Sequence, residues 1–298
     1  MCFNSDAMIW YYENYMHTTL PHIFLDGGIP DETAHADSLL KVGGFPQGIE
    51  GQTTNPTLII KNLLATQGQS TLLQKKEAYK KIVCAMATYT HGPISIQVIG
   101  NKDTPAETLL ADAREKISWI PHGVIKFPCT HEGLKAAAVF CHEGPVNITL
   151  VFSQEQAAAV FAATKTAPFP VFVSPFVGRL DDTGEDGMDV IKNILEMYAI
   201  CGNTHPKVLA ASLRTIDHIL YSIQLKSDIM TIPFNLLENW KSEQFRVPES
   251  SYVYPKKNLQ SILYKDIPLD KSWESYDVMH PLTQRGVQKF WDDWNNLS

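Results

Sequence analysis

Short apolar runs alternate with stretches of helical periodicity along most of the chain. Several runs are apolar on both faces, as expected for strands buried between a packed interior and a layer of helices. This alternation predicts an α/β fold, a single (β/α)8 TIM barrel built from strand–helix pairs. The eight runs of strand length lie at 22–26, 48–52, 95–100, 124–128, 146–152, 170–176, 208–213 and 229–234.

Helix-start signals follow several of these runs. Residues 104–117 begin with Thr104 as N-cap and Glu107 in capping-box spacing, and residues 153–165 begin in the same way at Ser153. Each cap supplies an acceptor for backbone N–H groups that have no partner inside the helix. These signals strengthen the prediction of strand–helix repeats.

A doubly wound open sheet is the competing arrangement. Such a sheet usually carries a glycine-rich phosphate turn that leads from its first strand into a helix. Here the segment DGGIP at 26–30 places Pro30 where that helix would run. The barrel is therefore favoured.

Two segments do not fit the repeat. The chain is predicted to be one domain over 1–298, with a barrel core at about 22–240. Residues 1–21 form an N-terminal extension without clear period, and residues 241–278 form an insertion with three prolines and mixed polarity. A C-terminal helix is predicted at 280–296.

Composition and charge exclude several classes of protein. The 298 residues are 44% hydrophobic and carry a net charge of −7, which argues against a broad nucleic-acid-binding face. The apolar runs are too short to span a membrane, and the N-terminus lacks the pattern of a signal peptide, so a cytoplasmic protein is expected. The five cysteines are scattered without metal-ligand spacing, as is typical of reduced thiols.

Lys126 carries the most informative chemistry. Reactive groups of TIM barrels lie at the C-terminal ends of strands, and Lys126 lies in the apolar run VIKFP at 124–128. Burial there would lower the pKa of its amine and make it a nucleophile toward a carbonyl. The alternative is a lysine that extends along apolar surface to water.

Four more polar residues lie in or after strands. Asp26 ends the first run and Asn55 follows the second, although Asp-Gly and Asn-Pro are also common turn dipeptides. Gln97 and Thr149 lie inside apolar runs, where an unpaired polar side chain is unfavourable. They are either core residues satisfied by neighbours or groups that point into a polar barrel mouth.

Two arginines follow neighbouring strands. Arg179 comes after the sixth run and Arg214 after the seventh, and the guanidinium group matches the oxygens of a phosphate. The alternative is a pair of surface salt bridges.

The order of these motifs resembles the transaldolase family, and especially its short-chain branch, which includes the fructose-6-phosphate aldolases. The matching segments appear in family order over nearly all of residues 22–240 and the C-terminal helix. They are IFLD (23–26), TTNPTLI (53–59), VIKFPCTHEGLKAA (124–137), NITLVFSQEQA (147–157), VSPFVGRLDD (173–182), AASLR (210–214), DIMTIPF (228–234) and HPLTQRGVQKFWDDW (280–294).

The resemblance implies a cofactor-free, metal-free reaction through a Schiff base. Lys126 would attack the carbonyl of a ketose, and Asp26 would take the proton from the hydroxyl whose carbon–carbon bond breaks. A dihydroxyacetone unit stays on the lysine and passes to an aldose phosphate. Gln97 and Thr149 would position a catalytic water. The residues implied in binding substrate are Thr53, Asn55, Asn147, Ser174 and Phe176, with Arg179, Ser212 and Arg214 as the phosphate-binding set.

Two positions leave alternatives open. Most transaldolases carry glutamate where this chain has Gln97, whereas the aldolases carry glutamine there and a tyrosine at the position of Phe176. Phenylalanine has no hydroxyl to protonate the bound carbanion, which favours transfer over release of dihydroxyacetone. A third alternative is a weakly catalytic barrel that binds sugar phosphates.

Phosphorylated sugars are the expected partners, without nucleic acid or membrane. In the short-chain branch the terminal helix packs on a neighbouring subunit, and the insertion at 241–278 leaves a homo-oligomer open. Carbohydrate metabolism, and the pentose phosphate pathway in particular, is the expected setting.

Overall fold

The closed parallel barrel predicted from the sequence is confirmed. A computed structural model of the protein describes residues 20–67, 72–202 and 205–295. Its eight strands are hydrogen-bonded in sequence order, and the first pairs with the last. The strands are β1 His22–Asp26, β2 Gly51–Thr53, β3 Ile94–Gln97, β4 Gly123–Pro128, β5 Val146–Val151, β6 Val171–Pro175, β7 Pro206–Ala210 and β8 Ile229–Pro233.

Helices surround the barrel and connect the strands. They are α1 Pro30–Val42, α2 Pro56–Gln67, α3 Leu72–Met86, α4 Ala106–Lys116, α5 His131–Phe140, α6 Gln154–Ala163, α7 Val177–Asp181, α8 Gly187–Cys201, α9 Ile216–Gln224, α10 Phe234–Ser242 and α11 Pro281–Asn295. Among the described residues, none of the helices is both long and apolar enough to cross a membrane. Residues 1–19 of the predicted N-terminal extension lie outside the described residues.

Some local predictions need correction. Thr104 does not cap α4, because its hydroxyl accepts the backbone N–H of Asn101 at 2.9 Å and the helix begins only after Pro105. Pro30 does not block a helix but begins α1, since the first turn of a helix needs no donor from proline. The cap predicted at Ser153 is confirmed.

Three strands differ by more than one residue at an end from the predicted runs, and the first of them is β3, which ends at Gln97 and not at residue 100. Strand β2 begins at Gly51, after a turn in which Gly48 has φ of +66°. Strand β7 ends at Ala210, because the backbone turns at Ser212, where φ is +59°.

A bulge interrupts β5 near the mouth of the barrel. The register of β5 on β6 shifts between Ile148 and Val151, and Leu150 has φ of +61°. One extra residue on β5 bends the strand and changes where its side chains point. The bulge is the place where α11 docks: the hydroxyl of Thr283 donates to the carbonyl oxygen of Leu150 at 2.8 Å.

Residues 243–280, which we call the strap, connect α10 to α11 around the outside of the barrel. The structure describes the whole strap, and its one helical turn is a 3-10 helix at Trp273–Ser275. It passes α9, where Tyr254 stacks on Tyr221 at 4.5 Å between ring centroids, and then α8, where Lys256 binds Asp189 at 2.7 Å.

The strap returns the chain to the barrel mouth. It continues past α6, where the backbone N–H of Lys265 donates to Gln154 Oε1 at 2.8 Å, and past α5, where Trp273 packs on His131. Helix α11 then lies on its own barrel, and the contact with a neighbouring subunit that the resemblance implied stays a prediction. A homo-oligomer stays a prediction.

Candidate active site

Strand register gathers the predicted site residues on the interior face of the barrel. Lys126 pairs with Gln97 on one side and with Asn147 on the other, and Asp26 pairs with Thr53. Paired residues of parallel strands point to the same face of a sheet. The five side chains therefore share the interior near the C-terminal ends of the strands.

The floor beneath these polar side chains is apolar. Phe24 and Phe172 meet edge to face with their ring centroids 6.2 Å apart. Gly51 makes room for this contact, because a Cβ atom there would lie 2.5 Å from the ring of Phe24. Packed rings thus lie below the polar side chains, on the side away from the mouth.

Lys126 is buried, with 2% of its surface exposed. Its Nζ donates to the carbonyl oxygen of Thr54 at 3.2 Å and lies 5.9 Å from the centroid of the Phe176 ring. Burial lowers the pKa of this amine to about 8, Asp26 opposes that effect, and Arg179 adds to it. The amine does not extend to solvent, so that alternative is wrong.

Asp26 lies beside Lys126 at the partly exposed end of β1. The hydroxyl of Thr53 donates to Asp26 Oδ1 at 2.8 Å, and the hydroxyl oxygens of Thr53 and Thr231 are 2.7 Å apart. Because the single proton of Thr53 goes to Asp26, Thr231 is the donor in the second bond. Burial raises the pKa of the Asp26 carboxyl, while Lys126 and the bond from Thr53 lower it. A carboxyl whose pKa is raised toward neutrality is suited to accept and return a proton.

A second hydrogen-bonded chain fixes the amide of Asn147. Ser174 donates to Asn147 Oδ1 at 2.7 Å, and Asn147 Nδ2 donates to Ser95 at 3.0 Å. Ser95 and Thr231 were missed in the sequence. The signal for Ser95 was a polar residue two positions before Gln97, on the same face of the strand.

Gln97 and Thr149 each present a buried polar atom to the site. Gln97 Oε1 and Thr149 Oγ1 have no hydrogen-bond partner among the described protein atoms. The backbone of Gln97 is fixed, however, because its N–H donates to Tyr79 Oη and its carbonyl accepts Lys116 Nζ, each at 3.0 Å. Neither Tyr79 nor Lys116 was predicted from the sequence.

The side chain of Asn55 also forms a hydrogen bond within its own segment. Its Oδ1 accepts the backbone N–H of Leu58 at 3.0 Å, so Asn55 caps the start of α2. The local role of Asn55 is thus that of a helix cap and not of a turn residue, and its amide nitrogen and the second lone pair of Oδ1 are left for a substrate.

The two arginines are held in different ways. Arg214 donates through both Nη atoms to Asp182, and the two side chains are about half exposed. The ion-pair alternative thus describes Arg214. Arg179 lies instead over two aromatic rings, with its Cζ 5.3 Å from the centroid of Phe176 and 5.3 Å from that of Phe290.

The segments that carry the arginines contact each other closely. Gly178 N donates to the carbonyl oxygen of Ser212 at 3.0 Å, and a Cβ at Gly178 would lie 2.4 Å from Arg214 Nε. The charge of Arg214 lowers the pKa of Arg179, after the larger effect of burial. Two cations this close form a local site for an anion.

Helix α11 forms part of the mouth. Val287, Phe290 and Trp291 line a narrow pocket together with Gln97 and Asn101. Among the described residues, no three histidine, cysteine, aspartate or glutamate side chains are arranged to hold a metal ion.

Known proteins resemble this chain over nearly its whole length. The family model for transaldolase/fructose-6-phosphate aldolase matches residues 24–298. A relative named "Probable transaldolase" from Alkaliphilus metalliredigens is 33% identical over 268 residues, which cover 89% of this chain and 97% of the relative. Relatives of the same name from Desulfitobacterium hafniense and Methanococcus maripaludis are 33% and 34% identical; the matches cover 92% and 83% of this chain, and 98% and 87% of the relatives.

Proposed function

The chain belongs to the transaldolase/fructose-6-phosphate aldolase family, and we propose that it is a Schiff-base transaldolase. It transfers a dihydroxyacetone unit from sedoheptulose 7-phosphate or fructose 6-phosphate to an aldose phosphate. The observation that carries this proposal is the buried amine of Lys126, whose pKa falls to about 8 beside the carboxyl of Asp26. A neutral amine is the form that attacks a carbonyl.

The chemical steps follow from these two groups. Lys126 Nζ adds to the ketose carbonyl, and loss of water leaves a protonated imine. Asp26 removes the proton from the hydroxyl on the second carbon from the imine carbon. The bond between that carbon and the first carbon breaks, and the aldose leaves. The bonding electrons pass to the imine, which becomes an enamine. The enamine then adds to a second aldose, Asp26 returns the proton, and water releases the new ketose from Lys126.

Other interior groups support these steps. Thr53 keeps the carboxylate of Asp26 oriented through its bond at 2.8 Å. Gln97 Oε1 and Thr149 Oγ1 are suited to hold the water that forms and cleaves the imine. The protonated imine accepts the bonding electrons, so the proposed reaction uses no cofactor.

Anion binding explains how an acidic chain handles phosphorylated sugars. The net charge is −7, yet Arg179 and Arg214 lie beside the mouth. Together with Ser212 they form the proposed phosphate clamp. Binding to a charge-assisted clamp is local and does not depend on the net charge of the protein.

Release of free dihydroxyacetone is the second candidate function, and Gln97 favours it by its match to the aldolases. Phe176 favours transfer, because its ring faces Lys126 without a hydroxyl that could protonate the enamine. We propose transfer as the main reaction. Replacing Gln97 by glutamate should raise the transfer rate.

Trapping with borohydride tests the proposal. Wild-type protein incubated with fructose 6-phosphate should yield a reduced adduct on the peptide that contains Lys126, and Lys126→Arg should yield none. In a separate sample without borohydride, added erythrose 4-phosphate should be converted to sedoheptulose 7-phosphate. An absent adduct in the wild type would exclude both reactions and leave a sugar-phosphate-binding barrel, while an adduct without transfer would favour the aldolase.

A further inference from the structure

We propose that Gly286 and Phe290 of α11 are positioning residues that hold Arg179 for a phosphate, and that they set the preference for phosphorylated over unphosphorylated sugars. The inference rests on the proposed function, since it concerns the phosphate end of that substrate. Neither residue touches the reacting carbons.

The guanidinium of Arg179 contacts aromatic faces instead of a carboxylate. Its Cζ lies 5.3 Å from the ring centroid of Phe176, at the end of β6, and 5.3 Å from that of Phe290, in α11. No carboxylate among the described residues is within ion-pair distance of Arg179, whereas Arg214 is paired with Asp182. The flat faces fix the plane of the guanidinium and leave its N–H donors available to an anion.

Gly286 allows α11 to approach Arg179. A Cβ at this position would lie 2.7 Å from Arg179 Nη1 and 2.6 Å from Leu150 Cδ2. Glycine weakens a helix interior relative to alanine, so a glycine here is best explained by this close approach. An added methyl group would have to displace either the helix or the guanidinium.

The position of α11 is itself fixed along its length. Near its start, Thr283 donates to the carbonyl of Leu150 and accepts from Gln156 Nε2, each at 2.8 Å. At its end, Lys75 Nζ donates to the carbonyl of Trp294 at 2.7 Å. Because the helix is held at both ends, strain introduced at Gly286 falls on the side chains of Arg179 and Leu150, which the added Cβ would meet.

A fixed guanidinium changes binding more than chemistry. An arginine that is already oriented loses less conformational freedom when it binds a phosphate. The phosphate is bound equally in the ground state and the transition state, so its loss should raise KM and leave kcat nearly unchanged. A sugar without a phosphate gains nothing from this arrangement.

Three variants test the inference. Gly286→Ala adds the clashing methyl, Phe290→Leu removes the aromatic face while keeping an apolar side chain, and Gln288→Ala is the control on the exposed face of the same helix. Each is compared with wild type for kcat and KM with fructose 6-phosphate and with unphosphorylated fructose. Affinity for inorganic phosphate is measured by calorimetry, and trapping with dihydroxyacetone reports on Lys126.

Loss of an oriented charge-assisted contact should weaken phosphate binding, and raise KM for fructose 6-phosphate, by about tenfold in Gly286→Ala and Phe290→Leu. In these two variants, KM for fructose and trapping by dihydroxyacetone should be unchanged. In Gln288→Ala, every measured value should equal that of the wild type. Equal phosphate affinity in Gly286→Ala and Gln288→Ala would overturn the inference, as would a KM that rises equally for both sugars. If Gly286→Ala does not fold, Phe290→Leu decides alone. Failure of dihydroxyacetone trapping in the wild type would count against the proposed function, while the phosphate measurement would still test this inference.

Discussion

Replacing Lys126 by methionine should stabilise the folded chain while it abolishes imine formation. The amine is buried, and its pKa falls from 10.5 to about 8 on folding. At pH 7 this difference corresponds to a penalty on the folded state of about 3 kcal/mol. Methionine fills a similar space without charge, and the lost bond to the carbonyl of Thr54 is worth about 1 kcal/mol. The expected net gain in the free energy of unfolding is about 2 kcal/mol.

The gain should depend on pH in a defined direction. Because the pKa of Lys126 is lower in the folded protein, the unfolded chain binds more protons between about pH 8 and 10.5. The stability of the wild type therefore rises across this window. The advantage of Lys126→Met is complete below pH 8 and has disappeared by about pH 10.5.

Lys116→Met is the matched control. Lys116 is buried as deeply, at 1% exposure against 2% for Lys126, but it forms an ion pair with Asp112 at 2.5 Å. Its removal takes the cation from Asp112, which keeps the backbone N–H of Ile99 as a donor, and removes the bond to the carbonyl of Gln97. Burial lowers the pKa of Lys116 as well, but these two bonds are lost with the amine, so we expect Lys116→Met to gain less stability than Lys126→Met.

Urea unfolding followed by tryptophan fluorescence at pH 7 and pH 10 measures both variants. A Lys126→Met protein that is no more stable than wild type at pH 7 would refute the argument that the amine is held in an unfavourable environment. A gain that is the same at both pH values would assign it to packing instead of charge.

Three further predictions concern separate parts of the molecule. Cyanoborohydride trapping by dihydroxyacetone should accelerate with pH and level off near pH 8, since the neutral amine of Lys126 reacts; a rate flat from about pH 6 to 9 would contradict this. Asp182→Asn should lower KM for fructose 6-phosphate by up to about fivefold, because an exposed pair with Arg214 is worth at most about 1 kcal/mol. A higher KM would show that Asp182 instead orients Arg214. Lys256→Met should lower the free energy of unfolding, measured in urea, by about 2 kcal/mol, because the buried Asp189 loses its cation. Unchanged stability would mean that other contacts hold the strap.

The barrel could be predicted because each strand can be recognised from its own residues. Runs apolar on both faces mark buried parallel strands, and the burial of Lys126 followed from its immediate neighbours. Polar residues inside such runs, as at Gln97 and Thr149, were candidates for site residues because an unpartnered polar group in a core is unfavourable.

Contacts between distant parts of the chain could not be predicted in this way. Tyr79 and Lys116 fix the end of β3 from two outer helices, which depends on how each helix rotates against the sheet. Gly286 and Phe290 follow Arg179 by more than a hundred residues, and nothing in their own helix indicates an arginine. The pairing of Arg214 with Asp182 likewise depends on the register of neighbouring loops.

The ring of Phe176 lies near both Lys126 and Arg179. Lys126 Nζ lies 5.9 Å from its centroid and Arg179 lies 5.3 Å from it, so both cations share one apolar surface. Burial lowers the pKa of both groups, and the charge of Arg179 lowers that of Lys126 further. The lysine loses its proton near pH 8, while the arginine remains charged because its intrinsic pKa is so much higher. One environment thus yields a nucleophile and an anion site side by side.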